Sequence, residues 1–340
     1  MLKSVTLHHG DTKRIHLGGW RKQPADLRDE EFRLKLHPSF LTSALPPTGD
    51  LRGFCSPIED QGELGSCTAN AFAGLIEANE LRSKASKSHA LLAVAAAPHV
   101  TVSGVTQASD GSISFTTKVT AGSAPSPTPG PAPAPIPSPT PSPKPGKLID
   151  VSRLFEYYAT RKIEGTTNED SGATIRDTAK AGAQYGIAME SSWPYDAAKF
   201  TQEPPAAVWT AAASHKVTSY HSITDGDILT LKSVLATGYL VEFGFNVYSY
   251  FMSQQMATQA FLDVPKSNET LEGGHAVDLC GWDDNMVNPF NKSSKGAFLV
   301  RNSWGGGWGL SGYFWMSYDY VKSPKLCSDF WVVQSSPLTT

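Results

Sequence analysis

No apolar run in this 340-residue chain approaches the roughly 18 residues that a membrane-spanning helix needs. The N-terminus, MLKSVTLHHGDTKRIHL, has no apolar core of signal-peptide length. Residues 90–98 (ALLAVAAAP) have a signal-like composition but lie deep inside the chain, where an apolar patch is the simpler reading. The expectation is a protein without a membrane span, either cytoplasmic or exported without a recognisable signal peptide. Cysteine is scarce. Cys55, Cys67, Cys280 and Cys327 are too few for a disulfide scaffold at this length, and no C-x-x-C pair suggests a zinc ribbon. Charge is sparse too, at 18% against the usual ~25%. The balance of 29 basic to 32 acidic residues implies no generally basic surface for nucleic acid.

What is present is apolar content of 40%, enough for a core, and one concentration of proline. Of 24 prolines, 11 occupy alternate positions across residues 125–145. Such a run removes backbone donors and fixes φ, so it predicts an extended, semi-rigid spacer. Just before it, VTVSGV and SISFTTKV alternate apolar and polar around Ser109-Asp110-Gly111, which predicts a small β-hairpin.

Elsewhere helices precede strands. Residues 67–81 have helical apolar spacing, with Ser66 as an N-cap type. Residues 152–165 and 173–185 read as two more helices, the second closed by Gly186. Asp225 is the expected cap of a helix running to Ala236. LVEFGFNVY, HAVDLCGW, GAFLVRNSW, GYFWMSY and FWVVQ then read as strands. The order implies an α+β fold.

Three segments carry chemistry. In QGELGSCTANA, Cys67 opens a helix, where unpaired N–H groups and the dipole favour a thiolate. In GGHAV, His275 begins an apolar strand behind two glycines. In VRNSWGGGWG, Asn302 ends a strand before a glycine-rich turn with Trp304 and Trp308; the lysine of a phosphate-binding loop is missing. Taken singly, each also fits a structural role: a buried cysteine, a packed histidine, an aromatic turn. Jointly, Cys67, His275, Asn302 and Gln61 supply a nucleophile, a base, an orienter for the base and an oxyanion donor.

These residues resemble the papain-like cysteine peptidases. The matching pieces are Asp50-Leu51-Arg52, Gln61-Gly62, Gly65-Ser66-Cys67, Gly274-His275-Ala276, and Asn302-Ser303-Trp304-Gly305 with Trp308-Gly309. EGTTNEDSGATIRD followed by WPYD is similar to a prokaryotic-type branch. Cys67 and His275 are 208 residues apart, against about 130–150 in cathepsin-like chains. Removing the atypical residues 87–147 leaves 147. The proline-rich region is therefore expected to interrupt one peptidase domain, residues 49–340, rather than to join two.

The resemblance implies a two-lobed fold, helical on one side and a β-sheet or barrel on the other, and cysteine-type hydrolysis of internal peptide bonds through a thioester acyl-enzyme. It implies no metal and no cofactor. Cys67 would attack, His275 would hold and return the proton, Asn302 would fix the imidazole, and Trp304 would cover that hydrogen bond and line the substrate site. Gln61 would bind the oxyanion. Gly172 and Gly274 would meet the substrate backbone. Residues 1–48, with Gly19-Trp20 and Asp26-Leu27-Arg28-Asp29, look like a propeptide that masks the cleft. Leu64 and Thr68 depart from the family pattern, which has cysteine and an aromatic there. A Cys55–Cys327 disulfide and a plain core role for Cys280 are further expectations. A thiol acyl-transferase or amidase, and a catalytically silent binding protein, are the competing readings.

Overall fold

A computed structural model describes residues 1–7, 9–32, 45–89, 101–107, 113–118 and 149–338. The proline tract and the Ser109–Gly111 turn lie outside the described residues. The chain separates into two compact units, residues 83–143 and residues 1–82 with 144–340.

The larger unit begins with a hairpin, β1 (Leu2–Thr6) and β2 (Thr12–His16), whose inward residues Val5 and Ile15 are fully buried. After β3 (Thr48–Asp50) comes α1 (Cys67–His89), longer than the apolar spacing predicts. Its first turns are buried on every side, so it is a core helix rather than an amphipathic one. In the smaller unit, β4 (Thr101–Gln107) and β5 (Ile113–Lys118) pair antiparallel, which is the expected hairpin.

Helix α2 (Arg153–Glu164) starts at Ser152, whose hydroxyl accepts from Phe155 N–H, and stops at Gly165 in the left-handed region. Helix α3 (Ile175–Gln184) is capped by Thr174. Helix α4 (Ala206–Ala212) and strand β6 (Val217–Ile223) have no counterpart in the sequence reading. Helix α5 (Ile228–Ala236) is capped by Asp227, not by Asp225, whose carboxylate instead accepts Asp329 N–H at 3.1 Å.

The remaining strands are β7 (Val241–Tyr248), β8 (Phe261–Leu262), β9 (Leu271–Val287), β10 (Lys295–Arg301), β11 (Tyr313–Ser317) and β12 (Cys327–Ser335). They form one sheet in the order β6-β12-β7-β9-β10-β11-β8, with β3 also paired to β9. The 17-residue β9 is its spine: β7 pairs its first half, and β3 and β10 flank its second.

Three main cores result. One packs Leu154, Phe155, Ala181 and Trp193 among the helices, a second packs Phe243, Phe245, Val277 and Phe298 on the sheet, and a third packs Phe72 and Ile76 of α1 against Cys280, Leu299 and Val333 of the sheet. Each such buried apolar side chain contributes about 1.5–3 kcal/mol. A small cluster of Trp20, Cys67, Ile175, Ala276 and Trp331 joins α1, α3, β9 and β12 to the N-terminal segment. The architecture is α+β and two-lobed. No described helix is long and apolar enough to cross a membrane.

Candidate active site

Cys67 is the first residue of α1. The turn before it is clamped from outside. The Asp170 carboxylate accepts Gly65 N–H at 3.0 Å and the Tyr157 hydroxyl at 2.6 Å. The Tyr195 hydroxyl bonds Gln61 O at 2.9 Å and lies 2.6 Å from Ser66 Oγ. Asp170 and Tyr195 lie in the two runs that mark the prokaryotic-type branch, the only sequence signal for either. Ser66 is thus held by Tyr195 and Asn70. The backbone N–H groups of Ala276, Thr68 and Cys67 lie near the Cys67 sulfur and favour its thiolate.

His275 lies on β9 opposite Phe245 of β7. Its Nε2 is 2.8 Å from Asn302 Oδ1. That oxygen also accepts Ser303 N–H at 2.8 Å, which fixes the amide orientation. Nε2 therefore carries the proton and Nδ1 offers a lone pair. Nδ1 has no hydrogen-bond partner. Trp304 stacks on the imidazole at 4.9 Å and is almost fully buried. Gln61 Oε1 accepts the Ser303 hydroxyl at 2.8 Å, which turns Nε2 toward Leu64 O and His16 O.

The N-terminal segment fills the space above these groups. Gly19 crosses Cys67 so closely that a Cβ there would lie 2.8 Å from Cys67 Sγ and 2.7 Å from Gly65 O. Gly18 N–H donates to Gly274 O at 2.9 Å, Ala173 N–H to Gly19 O at 2.8 Å, and Arg21 N–H to Ala173 O at 2.9 Å. Ala173 is thus the residue bonded to this backbone. Gly172, at φ +68°, supplies clearance, since a Cβ there would fall 2.5 Å from Gly19 O. Gly274 contributes both its carbonyl and an open seat. Trp20 occupies that seat: a Cβ at Gly244 or Gly274 would come within 2.0 or 2.7 Å of the indole. Its Nε1 donates to Asp329 Oδ2 at 3.0 Å. Ala173, Asp329 and the Trp20 seat were not anticipated from sequence.

Covering has an electrostatic consequence. Burial pushes the Cys67 thiol up to about 12, against the pull of the surrounding N–H groups and the helix start. Burial likewise lowers His275 to about 4, although Asn302 opposes it. Burial in the covered state thus works against the ion pair that the helix position alone favours.

The expected Cys55–Cys327 disulfide is absent. All four cysteines are free; Cys327 packs on Met316 Sδ at 3.8 Å in the sheet core, while Cys55 borders a different cluster that contains Cys280. As for metals, Glu59, Glu77 and Asp150 offer carboxylate oxygens within 4.8 Å of one another. Burial pushes the Glu59 and Glu77 carboxyls up, Glu77 to about 7, against the pull of Arg301, and Arg153 pairs with Glu59 at 2.6 Å.

The papain family cysteine protease model matches residues 164–329. An uncharacterized peptidase C1-like protein of Acanthamoeba polyphaga mimivirus is 41% identical over 190 residues, covering 54% of this chain and 58% of that protein. A cathepsin B-like protein of Giardia intestinalis is 34% identical over 90 residues, 26% of each chain. The chain therefore spans about three-fifths or less of these relatives' lengths. Xylellain, a cysteine protease from Xylella fastidiosa, superposes with a TM-score of 0.67 at 29% identity, covering 98% of both chains. With these matches in both sequence and structure, the chain is similar to the papain-like cysteine peptidases and shares their two-lobed fold.

Proposed function

We propose that this protein hydrolyses peptide bonds with Cys67 as nucleophile, and that residues 1–48 hold it masked. The observation that carries this reading is that a stretch of peptide already lies across the site. Gly19 sits over the sulfur, and the His16 carbonyl faces Gln61 Nε2 at 3.5 Å, where an oxyanion would be received.

The chemistry follows from the geometry. With Nε2–H engaged by Asn302, Nδ1 is the lone pair that takes the Cys67 proton. The thiolate attacks the carbonyl carbon, and the oxyanion is met by Gln61 Nε2 and the Cys67 N–H. His275 then gives its proton to the leaving amine, and water releases the acyl group from sulfur. Trp304 keeps water from the His275–Asn302 bond. Ala173 and Gly274 bond the substrate backbone where they now bond residues 18–21.

The test is labelling with an epoxysuccinyl thiol reagent followed by peptide mapping. Unmasked protein (residues 1–40 removed, or Trp20→Ala should the shortened chain fail to fold) is expected to label at Cys67 and to cleave a fluorogenic peptide. His275→Ala is expected to abolish both. Labelling elsewhere, or labelling indifferent to His275→Ala, would falsify the mechanism. Equal labelling of masked and unmasked forms would remove the masking. An added amine acceptor separates hydrolysis from acyl transfer in the same assay.

A further inference from the structure

A second pair of sulfurs lies away from the Cys67 site. Cys55 follows the short helical turn Arg52–Phe54, which folds the chain back on β3. Cys280 is on β9, beside the point where β3 pairs with it. Leu51 links the two: its N–H donates to Cys280 O at 2.8 Å, and its carbonyl accepts the Cys55 thiol at 3.7 Å. The Cys280 thiol donates to Leu299 O at 3.5 Å, and the Cys55, Cys280 and Tyr313 side chains are near enough to shift one another's titration. Both pack against one apolar cluster, Cys280 fully buried and Cys55 half-buried.

The two are not equivalent. The neighbouring Cys280 side chain and the Arg301 guanidinium hold the Cys55 thiol below its ordinary value despite burial. Burial pushes Cys280 well up. Cys55, the half-buried residue of the two, is thus the readier thiolate, and the buried Cys280 lies near it.

We propose that Cys55 and Cys280 are an oxidisable dithiol that closes to an intramolecular disulfide with a small-molecule disulfide as oxidant. The Cys55 thiolate attacks one sulfur of the oxidant and expels a thiolate, leaving a mixed disulfide. Cys280 loses its proton to solvent and attacks the Cys55 sulfur, expelling the second thiolate. Two protein thiols are oxidised, and one disulfide becomes two thiols once the departing thiolates take up the released protons. The bond would tie the strand segment leading to Gln61 to the strand that carries His275. It stands or falls separately from the peptidase reading.

The experiment uses the full chain with Cys67→Ser, so that the thiol count reports only the other three cysteines. Folded protein is treated with oxidised glutathione, then denatured, alkylated and mapped. The expected result is a fall from three thiols to one, with a reducible cross-link between the peptides holding residues 55 and 280. Cys327→Ser should retain the cross-link. Cys280→Ser should trap glutathione on Cys55, and Cys55→Ser should leave Cys280 unmodified; both remain informative only with unchanged near-ultraviolet circular dichroism. A pair that forms equally fast after denaturation, a cross-link through Cys327, or three persisting thiols in the folded chain would each overturn the proposal.

Discussion

The two walls of the cleft hold the N-terminal segment by different means. The helical wall holds it by charge and backbone pairing: Asp170 faces His16 at 3.8 Å, Glu164 pairs with Arg21, Arg176 pairs with Asp29, and Ala173 bonds residues 19 and 21. The sheet wall holds it by shape. Gly244 and Gly274 lack the side chains that would fill the seat of Trp20, and Trp331 and Ala276 close its sides. The lesson is that register along the cleft and depth within it are set separately. Paired charges near solvent are worth ~0–1 kcal/mol each, whereas a buried indole is worth several. The sheet wall should therefore dominate retention.

Emptying the seat is the strongest way to break this contrast. Trp20→Ala is expected to raise the rate of Cys67 labelling about 100- to 4,000-fold, the equivalent of the ~3–5 kcal/mol such truncations cost. A rise no larger than that caused by an ion-pair variant would mean that shape is not the main hold.

Asp329 sharpens the contrast, because it is the one acid on the sheet wall bonded to the indole. Asp329→Asn weakens a hydrogen bond to a charged group, and labelling should rise about tenfold. Burial pushes this carboxyl up to about 6 from its ordinary 3.8, although Gln23 N–H and Trp20 oppose the rise. A folded value above the unfolded one means its contribution is fully present below about pH 3.8 and is lost as pH climbs through about 6. The melting temperature of the full chain should fall across that window, and less steeply in Asp329→Asn. Equal slopes in thermal melts would exclude Asp329 as the source.

The smallest effect belongs to the helical wall. Arg21→Gln should raise labelling about threefold, and 0.5 M salt should erase the difference, as befits a partly exposed pair. A salt-independent effect would put Arg21 among the packing contacts instead.

The candidate site positions were legible because the proposed chemistry restricts them to few residue types in fixed local settings. Cys67 follows a glycine-rich turn into a helix, and Asn302 ends an apolar strand. The cover was not legible. Gly18-Gly19-Trp20 has no periodicity, and its fit depends on Gly244, Gly274 and Ala173, which lie more than 150 positions away. Asp225 and Asp227 are equally good caps by type; only the tertiary bond to Asp329 N–H decides between them. The same limit explains the cysteines. Spacing could not say whether Cys55 meets Cys327 or Cys280, because the answer lies in the β3–β9 register.

The segment over Cys67 and Cys67 itself belong to one covalent chain. An intramolecular ligand on a short connection acts at an effective concentration on the order of millimolar, whatever the protein concentration. A single backbone cut between residue 23 and Gln61 would alter no contact at the sulfur, yet would convert that tethered ligand into a free peptide subject to dilution. At micromolar protein the occupancy of the site by that peptide would fall by as much as the ratio of millimolar to micromolar, about a thousandfold for a weakly held peptide. The fold thus contains a step whose direction comes from dilution rather than from any change in the strength of its bonds.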